Sequence, residues 1–207
     1  MQTSELIRKH ADLAGELLGL DLSTPQGVEE FRHRMGGHFG VTHYRRANRW
    51  GDREIISQEM VHNIVTNEGL DHALDVALSG ATQITAWKVA AVKTNTSPAA
   101  GMTYATPTYT EIAGSDVTET VRQAWTDGGV SSQSVDNSAS PATYTANATV
   151  TLYGAGLVGG GTAATTIANT AGGGTLWSMA LFGTSKAMVA TDTIDITYTQ
   201  SSADDGV

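Results

Sequence analysis

Ala142-Thr143-Tyr144-Thr145-Ala146-Asn147-Ala148-Thr149-Val150-Thr151-Leu152 is the stretch on which the reading of the fold turns. Thr143, Thr145, Asn147, Thr149 and Thr151 fall on one side of an extended chain, and Ala142, Tyr144, Ala146, Ala148, Val150 and Leu152 on the other. A period of two marks a strand with one face in a core and one toward water or a hydrophilic partner. Thr193, Asp195, Thr197 and Thr199 against Ile194, Ile196 and Tyr198 repeat the pattern.

Further strands are expected at 84–92, 108–112, 118–124 and 176–182. Ser97-Pro98, Asp127-Gly128-Gly129, Gly159-Gly160-Gly161 and Gly172-Gly173-Gly174 punctuate them. Nothing after residue 80 alternates with helices, which argues against a doubly wound parallel sheet. No repeat of fixed period points to a solenoid. The expectation is a mainly β chain, an antiparallel β-sandwich or barrel with a short internal helix, preceded by an α-helical N-terminal arm.

That internal helix is expected over 67–79, capped by Thr66 or Asn67 and closed by Ser79-Gly80, with Leu70, Ala73, Leu74, Ala77 and Leu78 as one apolar face. Before it, Phe39, Val41 and His43 alternate with smaller or polar residues, and Glu54-Ile55-Ile56-Ser57 resumes an extended pattern. A hairpin over 38–58, continuing to 65, follows. Residues 1–37 form the arm: Leu6, Ile7, Leu13, Leu17, Leu18 and Leu20 recur at roughly helical spacing, and Ser23-Thr24-Pro25 opens a second short helix that Gly36-Gly37 ends. Two helices this short bury little against each other, so another surface is expected to receive them. The domain division is therefore an arm over 1–37 and a β domain over 38–207, with its sandwich strands over 83–200.

With 207 residues the chain can bury a sizeable core, and the absence of cysteine excludes disulfides and thiolate metal sites. Residues 1–19 carry charges throughout and lack the apolar run of a signal peptide, and no segment is long and apolar enough for a membrane span, so synthesis in the cytoplasm is expected. The net charge of -9 argues against direct nucleic-acid binding. The charge is unevenly placed. Residues 61–207 hold four Lys/Arg and twelve Asp/Glu, whereas Arg32, Arg34, Arg45, Arg46, Arg49 and Arg53 stand against Asp52 alone. These six arginines are the candidate partner-binding residues, suited to an acidic surface; the alternative is a solvated face with arginine at hairpin edges.

No catalytic, cofactor or metal site emerges. Gly154-Ala155-Gly156-Leu157-Val158-Gly159 fits G-x-G-x-x-G, but no helix pattern follows and the next acidic residue is Asp192, so it is read as a glycine-rich loop. The histidines at 10, 33, 38, 43, 62 and 72 lack a ligand spacing, and Asp192, Asp195, Asp204 and Asp205 lack the density of a calcium loop. Glu111, Asp116 and Glu119 are the candidate carboxylates for a glycosidase-like pair, but their turn and strand-edge contexts suit solvated acids. Trp87 and Trp177 are expected in the core, and Tyr104, Tyr109 and Trp125 are expected exposed.

At His62-Asn63-Ile64-Val65-Thr66-Asn67-Glu68-Gly69-Leu70-Asp71-His72-Ala73-Leu74-Asp75-Val76-Ala77-Leu78 the chain resembles a family of tailed-phage structural proteins with the signature N-[IV]-V-T-N-E-G-L-[ND]-x-x-L-D-x-x-L. Thr85-Ala86-Trp87, Tyr109-Thr110-Glu111-Ile112, residues 130–140, the Gly-Gly-Gly-Thr-Leu-Trp-Ser element at 172–178 and the final strand at 190–199 are similar to further elements of that family. The likeness covers about residues 60–200. It implies a virion component, and the lack of a catalytic constellation in the sequence adds the expectation that it is not an enzyme. The leading expectation is a capsid decoration (cement) protein on the outer head surface, bound to the major capsid protein and self-associated, by analogy as a trimer. A tail, neck or fibre component, or a carbohydrate-binding adhesin module using Tyr104, Tyr109 and Trp125, is the alternative.

Overall fold

The computed structural model describes residues 35–45, 52–161, 167–168 and 173–202. Among them the order is β1 (Met35–Arg45), β2 (Glu54–His62), β3 (Ile64–Val65), α1 (Asn67–Leu78), β4 (Trp87–Val92), β5 (Gln123–Ala124), β6 (Ser134–Asp136), β7 (Ala142–Thr145), β8 (Val150–Gly159), β9 (Thr175–Met188) and β10 (Thr193–Ser202). The expected arm falls outside the described residues except for its last three. Those three are strand: Met35, Gly36 and Gly37 open β1 instead of ending a helix. Gly37 lies too close to the Thr199 carbonyl to carry a Cβ, so it is a site of close strand approach, not a helix stop.

Two five-stranded sheets share one core. The first runs β2-β1-β10-β6, with β7 also paired to β10; the second runs β3-β9-β8-β4-β5. Phe39, Val41, Tyr144, Ile194 and Ile196 from the first sheet meet Val89, Ala91, Ala155, Leu157 and Ala180 from the second. This is the sandwich arrangement, with antiparallel pairing in the β1–β2, β7–β10, β4–β8 and β8–β9 ladders.

The decisive stretch at 142–152 is not one strand. Ala142 and Tyr144 pair with Ile196 and Ile194 in the first sheet, whereas Val150 and Leu152 pair with Met188 and Lys186 in the second. The crossing happens at Asn147, whose backbone N–H donates to the Asp116 carbonyl (2.8 Å) and whose side-chain amide donates to the Val117 carbonyl (2.7 Å). Alternation identified the buried side chains, Ala142, Tyr144, Ala146, Val150 and Leu152, but Ala148 is exposed at the crossing. A strand that changes sheets keeps its inward face, because both sheets face the same core.

The second sheet is buried on both faces. Ala90, Val92, Val158, Leu176 and Met179 point away from the main core and are covered by Met102, Tyr104 and Tyr109. Residues 93–122, which supply that cover, form no continuous strand, contrary to the expectation at 108–112 and 118–124; single bridges at Glu111–Val92 and Val117–Ala146 and the short β5 take their place. Double burial explains the unbroken apolar run in β4. It also reassigns the G-x-G-x-x-G match. Gly154 to Gly159 lies inside β8, not in a loop, and a Cβ on Gly154 would collide with the Ala180 carbonyl of the neighbouring strand.

Candidate partner-binding surfaces

Thr66 caps α1 as expected: its hydroxyl oxygen accepts the Gly69 N–H (3.1 Å) and its hydroxyl donates to the Leu176 carbonyl. Glu68 in the first turn accepts the N–H groups of Tyr104 (2.9 Å) and Leu176 (2.7 Å). Gly69 lets the helix rest on β9, since a Cβ there would stand 2.5 Å from the Trp177 carbonyl oxygen. The N-terminal turn is thereby clamped to the sheet; beyond it His72, Ala73 and Val76 are half-buried, and the leucines are turned outward. Leu70, Leu74 and Leu78, four residues apart and so on one stripe, are 36%, 58% and 81% exposed. Of the apolar face read from the periodicity, Leu70, Leu74, Ala77 and Leu78 therefore look outward, and Ala73 is half-buried. On β2 and β3, Ile55, Ile56, Met60 and Ile64 are also exposed.

Of the six candidate arginines, Arg32, Arg34, Arg46 and Arg49 lie outside the described residues. Arg45 ends β1 and is exposed, directly opposite Glu54. Arg53, just before β2, stacks over the Tyr44 ring (4.2 Å) and approaches Asp195 (3.5 Å). Arg45 and Arg53 are thus the two candidate arginines among the described residues, one facing Glu54 and the other held by Tyr44 and Asp195.

The carboxylates singled out for acid–base chemistry do not converge. Glu111 is gripped by Arg122 through two hydrogen bonds (2.8 and 2.6 Å), with both side chains fully buried. Burial works against the Arg122 charge, but the hydrogen bonds and charge of Glu111 outweigh it and hold the guanidinium protonated. Asp116 binds Lys93 (2.8 Å) and the Ala113 N–H (2.7 Å), and Glu119 accepts the Thr145 N–H (3.0 Å). Asp192 is buried against His43 (3.1 Å) and the Val189 N–H, while Asp195 takes the Thr143 hydroxyl (2.6 Å). Asp204 and Asp205 lie outside the described residues. Among the described residues no cluster of three or more His, Asp or Glu is arranged to hold a metal ion.

The aromatic residues are distributed differently from the expectation. Tyr104 and Tyr109 are buried between the 93–122 segment to which they belong and the second sheet, so neither is an exposed platform. Trp87 and Trp177 pack edge to face (5.5 Å) at the margin of the core and are only half-buried. With Trp125 and Tyr198 they line an open cleft of about 400 Å³, floored by Ile84, Val135 and Leu157 and rimmed by Asp127, His72 and Gln83. Burial pushes the Tyr198 hydroxyl up to about 12. The three tryptophans lie 38 and 52 residues apart in sequence, and only the sandwich packing brings them together. No helix among the described residues is long and apolar enough to cross a membrane.

Comparison with family models finds no match, and comparison with curated proteins finds none either.

Proposed function

We propose that this chain is a non-enzymatic structural protein of a tailed-phage virion, a decoration protein that attaches to the outer head surface through the major capsid protein. The observation that carries the reading is the outward leucine stripe of α1. A helix whose capped end is fixed to the sheet presents Leu70, Leu74 and Leu78 to solvent, and further apolar side chains are exposed on β2 and β3. Apolar groups displayed together in this way mark contact surfaces. The carboxylates a hydrolase would need are spent on internal partners, which supports an assembly role over a catalytic one. Many modest contacts repeated over a shell restrain capsid subunits by avidity.

The test is the number of copies per purified virion, measured by quantitative mass spectrometry against the major capsid protein. Hundreds of copies in a simple ratio to capsid subunits are expected. A few to a few dozen would move the protein to the tail, neck or fibres and overturn the decoration reading.

A further inference from the structure

We propose that the tryptophan cleft is a binding site for a neutral sugar residue of a glycan chain. All of its lining belongs to the described sandwich, and sugar binding there is independent of how the chain is held on a virion.

The first ground is a preformed aromatic surface. The Trp125 indole N–H donates to the Tyr198 carbonyl (3.1 Å), and the Trp177 indole N–H is shared between the Tyr198 hydroxyl (3.1 Å) and Gln200 Oε1 (2.9 Å). These bonds fix two of the three indole rings before any ligand arrives. Trp87 meets Trp177 at an interplanar angle of 72°, so the two rings make a corner and not a flat platform. The wall that carries Val130 and Val135 is held as well. Ser131 and Ser134 exchange backbone hydrogen bonds (2.9 and 3.0 Å) around Ser132 and Gln133, whose φ angles of 50° and 61° form a tight two-residue hairpin turn. Groups fixed in this way lose little freedom when a ligand binds.

The second ground is what the cleft has left to offer. His72, Gln83, Thr85 and Trp87 also line it, and none of their side-chain polar atoms is hydrogen-bonded to another described residue. An imidazole, a carboxamide, a hydroxyl and an indole N–H, donors and acceptors together, thus stand beside aromatic carbon. A pyranose ring matches that mixture: its C–H face packs on aromatic rings while the hydroxyls around its edge take the polar partners. An apolar side chain from another protein would desolvate those four groups without pairing them, at a cost for each.

Charge narrows the class. Among the described residues lining the cleft there is no Lys or Arg. Asp127 at the rim, one of whose oxygens accepts the Gly129 N–H (3.0 Å), contributes negative charge, and Asp71 and Asp75 are exposed on the adjoining helix. Uronates, sialic acids and phosphorylated sugars would meet that charge with no lysine or arginine to pair with, which selects a neutral residue.

The full-length protein is titrated with maltotriose, cellotriose, triacetylchitotriose and, as the acidic counterpart, trigalacturonate, followed by tryptophan fluorescence and calorimetry. A saturable response to at least one neutral trisaccharide is expected, with a Kd of about 1 mM for a ligand this small, and none to trigalacturonate. Gln83→Ala, at an exposed position, is expected to weaken binding about tenfold at an unchanged melting temperature. Trp125→Ala is expected to abolish it. No response to any of the neutral trisaccharides overturns the proposal. Binding that both variants leave intact also overturns it, since the sugar would then sit elsewhere. A response to trigalacturonate as strong as to the neutral sugars overturns the assignment of a neutral residue. A mass that rises with concentration in light scattering and falls with Val130→Lys, with no sugar response, overturns it in favour of a second copy of the chain. Sugar binding by a chain present at only a few copies per virion would uphold the site while removing the decoration reading.

Discussion

Arg122 and Glu111, eleven residues apart, form a fully buried two-point ion pair in the segment that covers the outer face of the second sheet. The Tyr104 hydroxyl accepts a further hydrogen bond from Arg122 (3.0 Å), so three points of one long segment are tied together where little regular secondary structure supports it. Replacing Arg122 by Ala, which leaves Glu111 buried without its cation, is expected to destabilise the fold by about 3–5 kcal/mol. The double change Glu111→Leu with Arg122→Met is expected to recover most of that loss. Urea denaturation of both variants against the wild type checks both; a double variant no more stable than Arg122→Ala would show that the two side chains are not coupled.

Gly69 provides a test of sign. Gly to Ala inside a helix ordinarily stabilises by up to about 1 kcal/mol. Here the new methyl would meet the Trp177 carbonyl, so Gly69→Ala is expected to destabilise by about 1–3 kcal/mol. Thermal melts read the direction directly. A stabilised variant would mean that α1 does not rest on β9 as described.

His38 sets an acid-side dependence. Burial is the larger cause and the facing His62 the next, and together they hold its pKa below the ordinary 6.5 despite the opposing charge of Asp136. A histidine depressed in the folded state binds protons more readily when unfolded. Its contribution is therefore full above about 6.5 and is lost as the pH falls from there toward the lower folded value. His38→Gln is expected to flatten the loss of stability on acidification from pH 7 to 5, followed by melting temperature. An unchanged slope would assign that loss to other groups.

The outward leucines separate stability from attachment. Leu74→Gln with Leu78→Gln is expected to change folding stability by no more than about 0.5 kcal/mol per site, as exposed positions do. The same variant is expected to bind stripped capsids at least tenfold more weakly in co-sedimentation. Wild-type binding would remove the stripe from the capsid contact.

Much of this was legible in the sequence. The two-residue alternation at 142–152 and 193–199 picks out the buried set apart from Ala148 at the crossing, since a side chain's direction along a strand depends only on parity. The N-cap at Thr66 and the helix that follows are local matters as well, settled by a hydroxyl reaching a backbone N–H three residues on. Which sheet a strand joins is not local. The chain changes sheets at Asn147 because the Asp116 and Val117 carbonyls are there to receive it, and those belong to a distant segment.

The same division runs through the surfaces. Composition and spacing by themselves determined a mainly β chain, the position of its helix and the separation of an arginine-rich stretch from an acidic remainder. Tertiary packing alone decided that the apolar side of α1 looks outward, that Tyr104 and Tyr109 are buried, and that Trp87, Trp125 and Trp177 share one cleft. Periodicity shows that a helix has an apolar side; only the fixed contact of Thr66, Glu68 and Gly69 with β9 and the 93–122 segment decides which way that side points.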